Sequence, residues 1–393
     1  MKTIISNGKI ITPRGIFEQG SLLMEEGIIK AVCEGPLDVA DANYINAHDN
    51  YVSPGFIDLH VHGGGNSDFM DATAQAFLTI AETHLVHGTT AMMPTTLTGS
   101  NQNLQDVLHC YEQAHSSNTR GAQFLGIHLE GPYFAMNHRG AQDPRYIRNP
   151  DKAEYTAIIN EHACIKRWSV APELDGALEL GNLLSSQNII ASIAHTDAVY
   201  PDIVQAVSNG YSLVTHLYSA MNGVIRRNAY RQAGTVEAAF LIDSLDVEII
   251  SDGRHLPIPL LQLIYKIKGA AKIALITDSI RAAGTTETKS ILGNIDDGMP
   301  VIIEDAVAKL PDRSAFAGSI ATADRLVRVM WKEAGIDLSE VITMMSTTPA
   351  RIAGVQDSMG SLSVGANADI VLFDDQVNIR QVFLKGTPVF QTD

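Results

Sequence analysis

The chain has 393 residues, 45% of them hydrophobic and 18% charged, with a formal net charge of −16. That balance excludes nonspecific nucleic-acid binding, which needs a basic face, and no run of ~20 apolar residues is present to span a bilayer. The three cysteines, Cys33, Cys110 and Cys164, share no short spacing, so neither a disulfide framework nor a cysteine-rich metal site is expected; with no signal-peptide pattern, the expected location is the cytoplasm.

Residues 2–6 and 9–12 read as strands flanking an Asn7-Gly8 hairpin turn, and 20–24 and 28–33 as a further pair joined through Glu26-Gly27. From residue 55 apolar runs alternate with helical patterns. Strands are expected at 55–62, 89–96, 123–130, 166–173, 189–195, 212–218, 247–252 and 272–278. Helical stretches between them include 73–87, 101–115, 151–163, 200–209 and 257–268. Eight strands alternating with helices predict parallel βαβ units and an α/β fold of the (β/α)8 barrel type. Helices at 321–334 and 338–352 then lead to strand-like segments at 368–373, 382–384 and 387–390, the last two separated by a Lys385-Gly386 turn. Both ends are therefore β-rich and flank a different middle.

Several of the predicted strands end in a residue suited to metal or proton chemistry: His60 and His62, Glu130, His195, His216 and Asp278. In a (β/α)8 barrel the C-terminal strand ends converge on one mouth, where active sites sit. His60 and His62 are two apart and share a strand face, and neutral imidazoles bind zinc or iron. Glu130 closes an apolar strand, where a carboxylate is costly unless paired or bound to a cation. With His195 and His216 from neighbouring strands it makes a set of two histidines and one carboxylate that leaves positions for water, which suits a catalytic metal. Asp278, on the last strand, faces the first and is placed to accept a proton from water and pass it on. His128 lies two residues before Glu130 and is expected to be a hydrogen-bonded core histidine. His255, in Asp252-Gly253-Arg254-His255, is a candidate for substrate contact. Arg226 and Arg227, with Arg231 close by, form a local basic group that suggests a phosphate or carboxylate on the substrate.

Taken together, PGFIDLHVHGGG (54–65), HLEGP (128–132), Ala194-His195-Thr196, THLYSAM (215–221), SDGRH (251–255), LITDSIRAAG (275–284), FAGS (316–319) and GSLSVGANADIVLFD (360–374) resemble the N-acetylglucosamine-6-phosphate deacetylases along nearly the whole chain. The HxH pair and the last segment are shared with the wider amidohydrolase superfamily; HLEGP, THLY-AM and DG-H narrow the resemblance to the deacetylases. It implies a barrel over residues 54–354 and a small β-sandwich domain formed by 1–53 with 355–393, in a homodimer. It also implies a principal divalent metal on Glu130, His195 and His216, and a second on His60 and His62 bridged by Glu130, zinc or iron in either case. The implied reaction is hydrolysis of the acetamide of N-acetyl-D-glucosamine 6-phosphate to D-glucosamine 6-phosphate and acetate, with Asp278 as base and then acid. Substrate contacts carry over to Ser219, Ala220, His255 and either Arg227 or Arg226.

Two positions depart from the family pattern. Ser219 stands where asparagine is usual, and Gln142, in Gly140-Ala141-Gln142, stands where many members carry histidine, with His138 nearby. They leave N-acetylgalactosamine 6-phosphate, or another N-acyl amino sugar, as the alternative substrate. HLEGP with SDGRH argues against a deaminase or cyclic amidase. The intact set Glu130, His195, His216 and Asp278 argues against a sugar-phosphate-binding protein without catalysis.

Overall fold

The computed structural model describes residues 2–12 and 15–392. Both chain ends enter one eight-stranded sheet, in the order Thr387–Gln391, Ile379–Leu384, Ile370–Phe373, Tyr51–Pro54, Lys2–Thr12, Gly15–Glu25, Ile28–Glu34, with Ala42–Asn46 paired to Lys2–Thr12 off that path. The junction between the two ends is the antiparallel pairing of Tyr51–Pro54 with Ile370–Phe373. Glu26-Gly27 and Lys385-Gly386 turn the chain as their sequences predict, each with both residues at positive φ. Asn7-Gly8 does not. Lys2–Thr12 runs through it as one strand, and the register with Gly15–Glu25 slips on either side of Gly8. The dipeptide makes a bulge rather than a hairpin. A Cβ on Gly8 would sit 2.5 Å from Val52 Cγ2, so only glycine lets the neighbouring strand approach there.

The middle of the chain holds the parallel strands, labelled here β1 (Phe56–Val61), β2 (Thr89–Pro94), β3 (Ile127–Glu130), β4 (Ile165–Val170), β5 (Ile190–Ile193), β6 (Tyr211–Val214), β7 (Asp246–Ile250) and β8 (Ile273–Ile276). β3 to β8 form one parallel sheet in chain order. β1 and β2 pair in a second, which also takes the short strand Gln123–Phe124. Single parallel bridges, Thr95 to His128 and Val61 to Ser279, join the two sheets at both edges. The strand expected at 123–130 is thus split. Gly126, at φ +107, breaks it, and a Cβ there would meet Cys164 O at 2.8 Å.

Helices fill the connections: α1 (Ala74–Leu85), α2 (Asn101–Ser117), α3 (Lys152–Glu161), α4 (Ala177–Ser186), α5 (Tyr200–Ser208), α6 (Thr235–Leu241) and α7 (Ile258–Lys268). Thr73, Ser100 and Asp151 cap the first three, each side-chain oxygen accepting from a backbone N–H of the first turn. Helical turns cover 323–333 and 338–352 as expected. A three-stranded antiparallel sheet, Lys289–Leu292, Met299–Glu304 and Val307–Lys309, follows β8 and is not foreseen by the sequence reading. Among the described residues, no helix is long and apolar enough to cross a membrane.

The parallel strands enclose polar groups as well as aliphatic ones. Arg167 on β4 is fully buried and uses all five guanidinium protons. It donates to Glu248 on β7, to Leu59 O of β1 at 3.1 Å, to Ser192 Oγ of β5 at 2.8 Å and to Thr215 Oγ1 beyond β6 at 2.8 Å. Burial works against the Glu248 charge, but Arg167 outweighs it and holds the carboxyl below its usual range. Replacing Arg167 with methionine strands that carboxylate in the interior. We expect Arg167→Met to cost about 3–5 kcal/mol of stability and Arg167→Met/Glu248→Leu to recover most of it, both measured by thermal unfolding; equal stabilities for the single variant and the parent would refute the assignment.

Candidate active site

Four of the strand-end residues singled out in the sequence lie past the last ladder pair of their strands. β5, β6 and β8 stop at Ile193, Val214 and Ile276, and the chain then turns at His195 (φ +45), His216 (φ +29) and Asp278 (φ +47). His62 follows Val61, where β1 ends. The predicted strands were therefore too long at their C-terminal ends. Side chains in the left-handed region cost about 1–3 kcal/mol each and persist where surroundings over-determine them. Here neighbouring backbone supplies that constraint: Asp278 N–H donates to His60 O at 2.9 Å, and Thr215 N–H to Ile193 O at 2.9 Å.

These turns gather the side chains around Glu130, which is 1% exposed. Its Oε1 lies 3.1 Å from His216 Nε2 and 3.4 Å from both His195 Nε2 and His60 Nε2; its Oε2 lies 3.4 Å from His62 Nε2. His60 and His62 bring their Nε2 atoms within 3.1 Å. Asp278 Oδ1 stands 3.1 Å from His62 Nε2 and 3.4 Å from His60 Nε2. The ring orientations are set from behind. His62 Nδ1–H donates to Thr95 O at 3.3 Å and His195 Nδ1–H to His138 O at 2.7 Å, leaving each Nε2 lone pair aimed at the cluster. Beneath His60, Asp58 accepts from His60 N–H, Thr277 N–H and Thr277 Oγ1, which ties β1 to β8.

Electrostatically the cluster is short of positive charge. Burial lowers the His62 pKa, but the Asp278 hydrogen bond and the Glu130 charge outweigh it and raise it to about 9. Burial raises the Glu130 carboxyl, and the surrounding imidazoles still hold it well below the usual range. A cation answers the same demand. Ligand atoms of a tetrahedral zinc site, bound at 2.0–2.1 Å, lie about 3.4 Å from one another. Two groups approach that spacing, His60 with His62 and Glu130, and Glu130 with His195 and His216, the ligand atoms of each lying within 4.8 Å of one another, and they share the glutamate. The donors present thus fit a divalent ion.

The cluster floors a cavity of about 410 Å³ whose wall includes Ser219, Ala220, His255 and Gln142. His255 Nδ1 is held by Asp252 Oδ2 at 2.9 Å, and its ring packs on Phe316, 4.8 Å between centroids. Arg226 and Arg227 are not brought in. They sit exposed on a two-stranded hairpin, Ile225–Arg227 with Tyr230–Gln232, and do not line the cavity. His128 is hydrogen-bonded on both ring nitrogens, to Thr95 Oγ1 and Ser169 Oγ. Sequence reasoning missed Tyr218, Leu292 and the part played by Phe316. The Phe316-Ala317-Gly318-Ser319 motif was a usable signal for the last and THLYSAM for Tyr218, whereas nothing in its own neighbourhood marked Leu292.

Gln142 is 4% exposed, with Nε2 donating to Glu130 Oε2 at 2.6 Å and Oε1 accepting from Thr98 N–H at 2.9 Å. It therefore orients the central carboxylate as well as facing the cavity. Gln142→Ala is expected to keep the fold but weaken metal affinity by about 10–100-fold, read by competition with a chromophoric chelator; unchanged affinity would remove it from the support of Glu130.

A model of the amidohydrolase family matches residues 51–389. An N-acetylglucosamine-6-phosphate deacetylase of Bacillus subtilis is 31% identical, covering 98% of this chain and 97% of that protein. An N-acetylgalactosamine-6-phosphate deacetylase of Escherichia coli O157:H7 is 29% identical over 98% and 99%. Among solved structures, a mutant N-acetyl-D-glucosamine-6-phosphate deacetylase of Mycobacterium smegmatis, in complex with N-acetyl-D-glucosamine-6-phosphate, superposes with a TM-score of 0.90 at 27% identity, covering 99% of this chain and 100% of that one.

Proposed function

This chain belongs to the amidohydrolase family, and from that premise we propose that it is a cytoplasmic, metal-dependent deacetylase that hydrolyses the acetamide of N-acetyl-D-glucosamine 6-phosphate to D-glucosamine 6-phosphate and acetate. The observation that carries this reading is the pair of histidine–carboxylate groups sharing Glu130, with Asp278 3.1 Å from His62, at the floor of a cavity of sugar-phosphate size. The parallel strands are read as a closed (β/α)8 barrel over residues 54–354. The sheet of both chain ends, 1–53 with 355–393, is read as the small sandwich domain, and the assembly as a homodimer.

In this proposal Glu130, His195 and His216 hold the principal ion, and His60 and His62 with Glu130 a second. Imidazole and carboxylate donors suit zinc or iron. A bound divalent ion supplies Lewis acidity, lowering the pKa of water and polarising a carbonyl. Asp278 takes the proton of the attacking water, and the same carboxyl returns it to the nitrogen as the C–N bond breaks. His255, fixed by Asp252, and the backbone at Ser219 and Ala220 orient the sugar. Arg227, on the exposed hairpin outside the cavity lining, is assigned to the phosphate from the family resemblance. A second reading, the galacto epimer, is favoured by Ser219 and Gln142 on the cavity wall and by the likeness to the Escherichia coli enzyme.

The test is acetate release from both sugar phosphates by metal-loaded protein. The gluco substrate is expected to turn over faster, chelation to abolish turnover, and Asp278→Asn to lower kcat by roughly 10²–10⁴-fold with metal still bound. Preference for the galacto substrate would shift the specificity, and no turnover of either with metal bound would end the sugar-phosphate reading. Arg227→Ala is expected to raise KM for the phosphorylated sugar with kcat nearly unchanged, and Arg226→Ala to do less; the reverse order would exchange their roles.

A further inference from the structure

On the outer surface, α2 and α3 bring a different set of metal-ligating groups together. Gln105 and His109 lie one turn apart on α2, while Glu161 ends α3 and His162 caps it. His109 Nδ1–H donates to Gln105 O at 2.7 Å, which fixes the ring and leaves its Nε2 lone pair pointing away from its own helix. That nitrogen lies 3.9 Å from Glu161 Oε1, and His162 Nε2 lies 3.8 Å from Glu161 Oε2. The two imidazole rings meet edge to face, 5.0 Å between centroids. One donor atom from each of the three residues falls within 4.8 Å of the others. His162 is 4% exposed, so one ligand is held by packing while His109 and Glu161 stay open to solvent.

The geometry points to a metal site separate from the cavity: a divalent ion of the zinc, nickel or copper class held by His109, Glu161 and His162, clipping α2 to α3. Two imidazoles and a carboxylate are the donors such ions prefer. As a mere ion pair, the exposed His109–Glu161 contact would be worth little. Gln105 now bridges the place the ion would take, its Oε1 accepting from His162 Nε2 at 2.6 Å and its Nε2 donating to Glu161 Oε2 at 3.4 Å. On binding, its amide turns aside or gives its oxygen as a fourth ligand. Burial lowers the His162 pKa, in the direction of the neutral imidazole that a ligand must be. An ion bound only by the folded chain stabilises it by mass action, and no step of catalysis depends on it.

The test is calorimetric titration of nickel chloride into protein already loaded at its catalytic site and freed of excess metal. The parent chain is expected to take up one further ion. His109→Ala and Glu161→Gln are expected to bind it at least about tenfold more weakly, and the exposed control His48→Ala as tightly as the parent. Excess nickel should raise the Tm of the parent and the control but not of the two variants. Equal uptake by parent and His109→Ala, or no uptake beyond the catalytic ions, would overturn the proposal. Neither readout uses turnover, so a failure of the deacetylase reading leaves this result distinct.

Discussion

A carboxylate taken out of water stays ionised only where opposite charge or donors surround it. Glu130 is the point from which the rest of the site is organised. It must stand where β3 ends, because four imidazoles from β1 and from the turns after β5 and β6 reach its two oxygens, and Gln142 closes the remaining approach. An imidazole is aimed most firmly when its far nitrogen is fixed. The Thr95 and His138 carbonyls do that for two of the four. The arrangement is satisfied from several strands at once, which is why it needs a sheet whose ends converge rather than a single loop.

One layer deeper, Arg167 and Glu248 join β1, β4, β5, β6 and β7 through one planar guanidinium. Glu248 Oε2 lies 3.7 Å from His60 Nδ1, so this buried pair and the imidazole cluster are in contact. A pair of this kind contributes little net stability over apolar packing. Its effect is positional: five strands are held to one set of donors directly beneath the histidines.

Much of the site was legible because its chemistry sits on short, conspicuous patterns. HxH on one strand face and acidic or imidazole residues at the ends of apolar runs need only the period of a strand to be interpreted. Turn dipeptides behaved equally well where both residues had to adopt positive φ, as at Glu26-Gly27 and Lys385-Gly386. Asn7-Gly8 carries the same local signal, yet close contact with Val52 uses its glycine to admit a neighbour instead. Strand lengths were overestimated at His195, His216 and Asp278, since an apolar run does not reveal where the backbone turns left-handed. Arg167 was invisible for a different reason. An arginine beside Lys166 reads as surface until its five acceptor atoms, on four residues that are all distant in sequence, are brought together. Conversely Arg226 and Arg227 looked like part of the cavity and lie on an exposed hairpin.

The pairing of Tyr51–Pro54 with Ile370–Phe373 also sets an order of events during synthesis. The segment that leads directly into β1, and so into His60 and His62, finds its antiparallel partner more than three hundred residues later, and Gly55 N–H waits on Asp369 O at 2.9 Å. At ribosomal speeds of 5–20 residues per second, that interval is roughly half a minute. During it the nascent chain carries an unpartnered strand edge beside the first two imidazoles of the site, the state in which chaperone contact and mispairing compete with folding. A segment translated more than three hundred residues later thus seats the first part of the site.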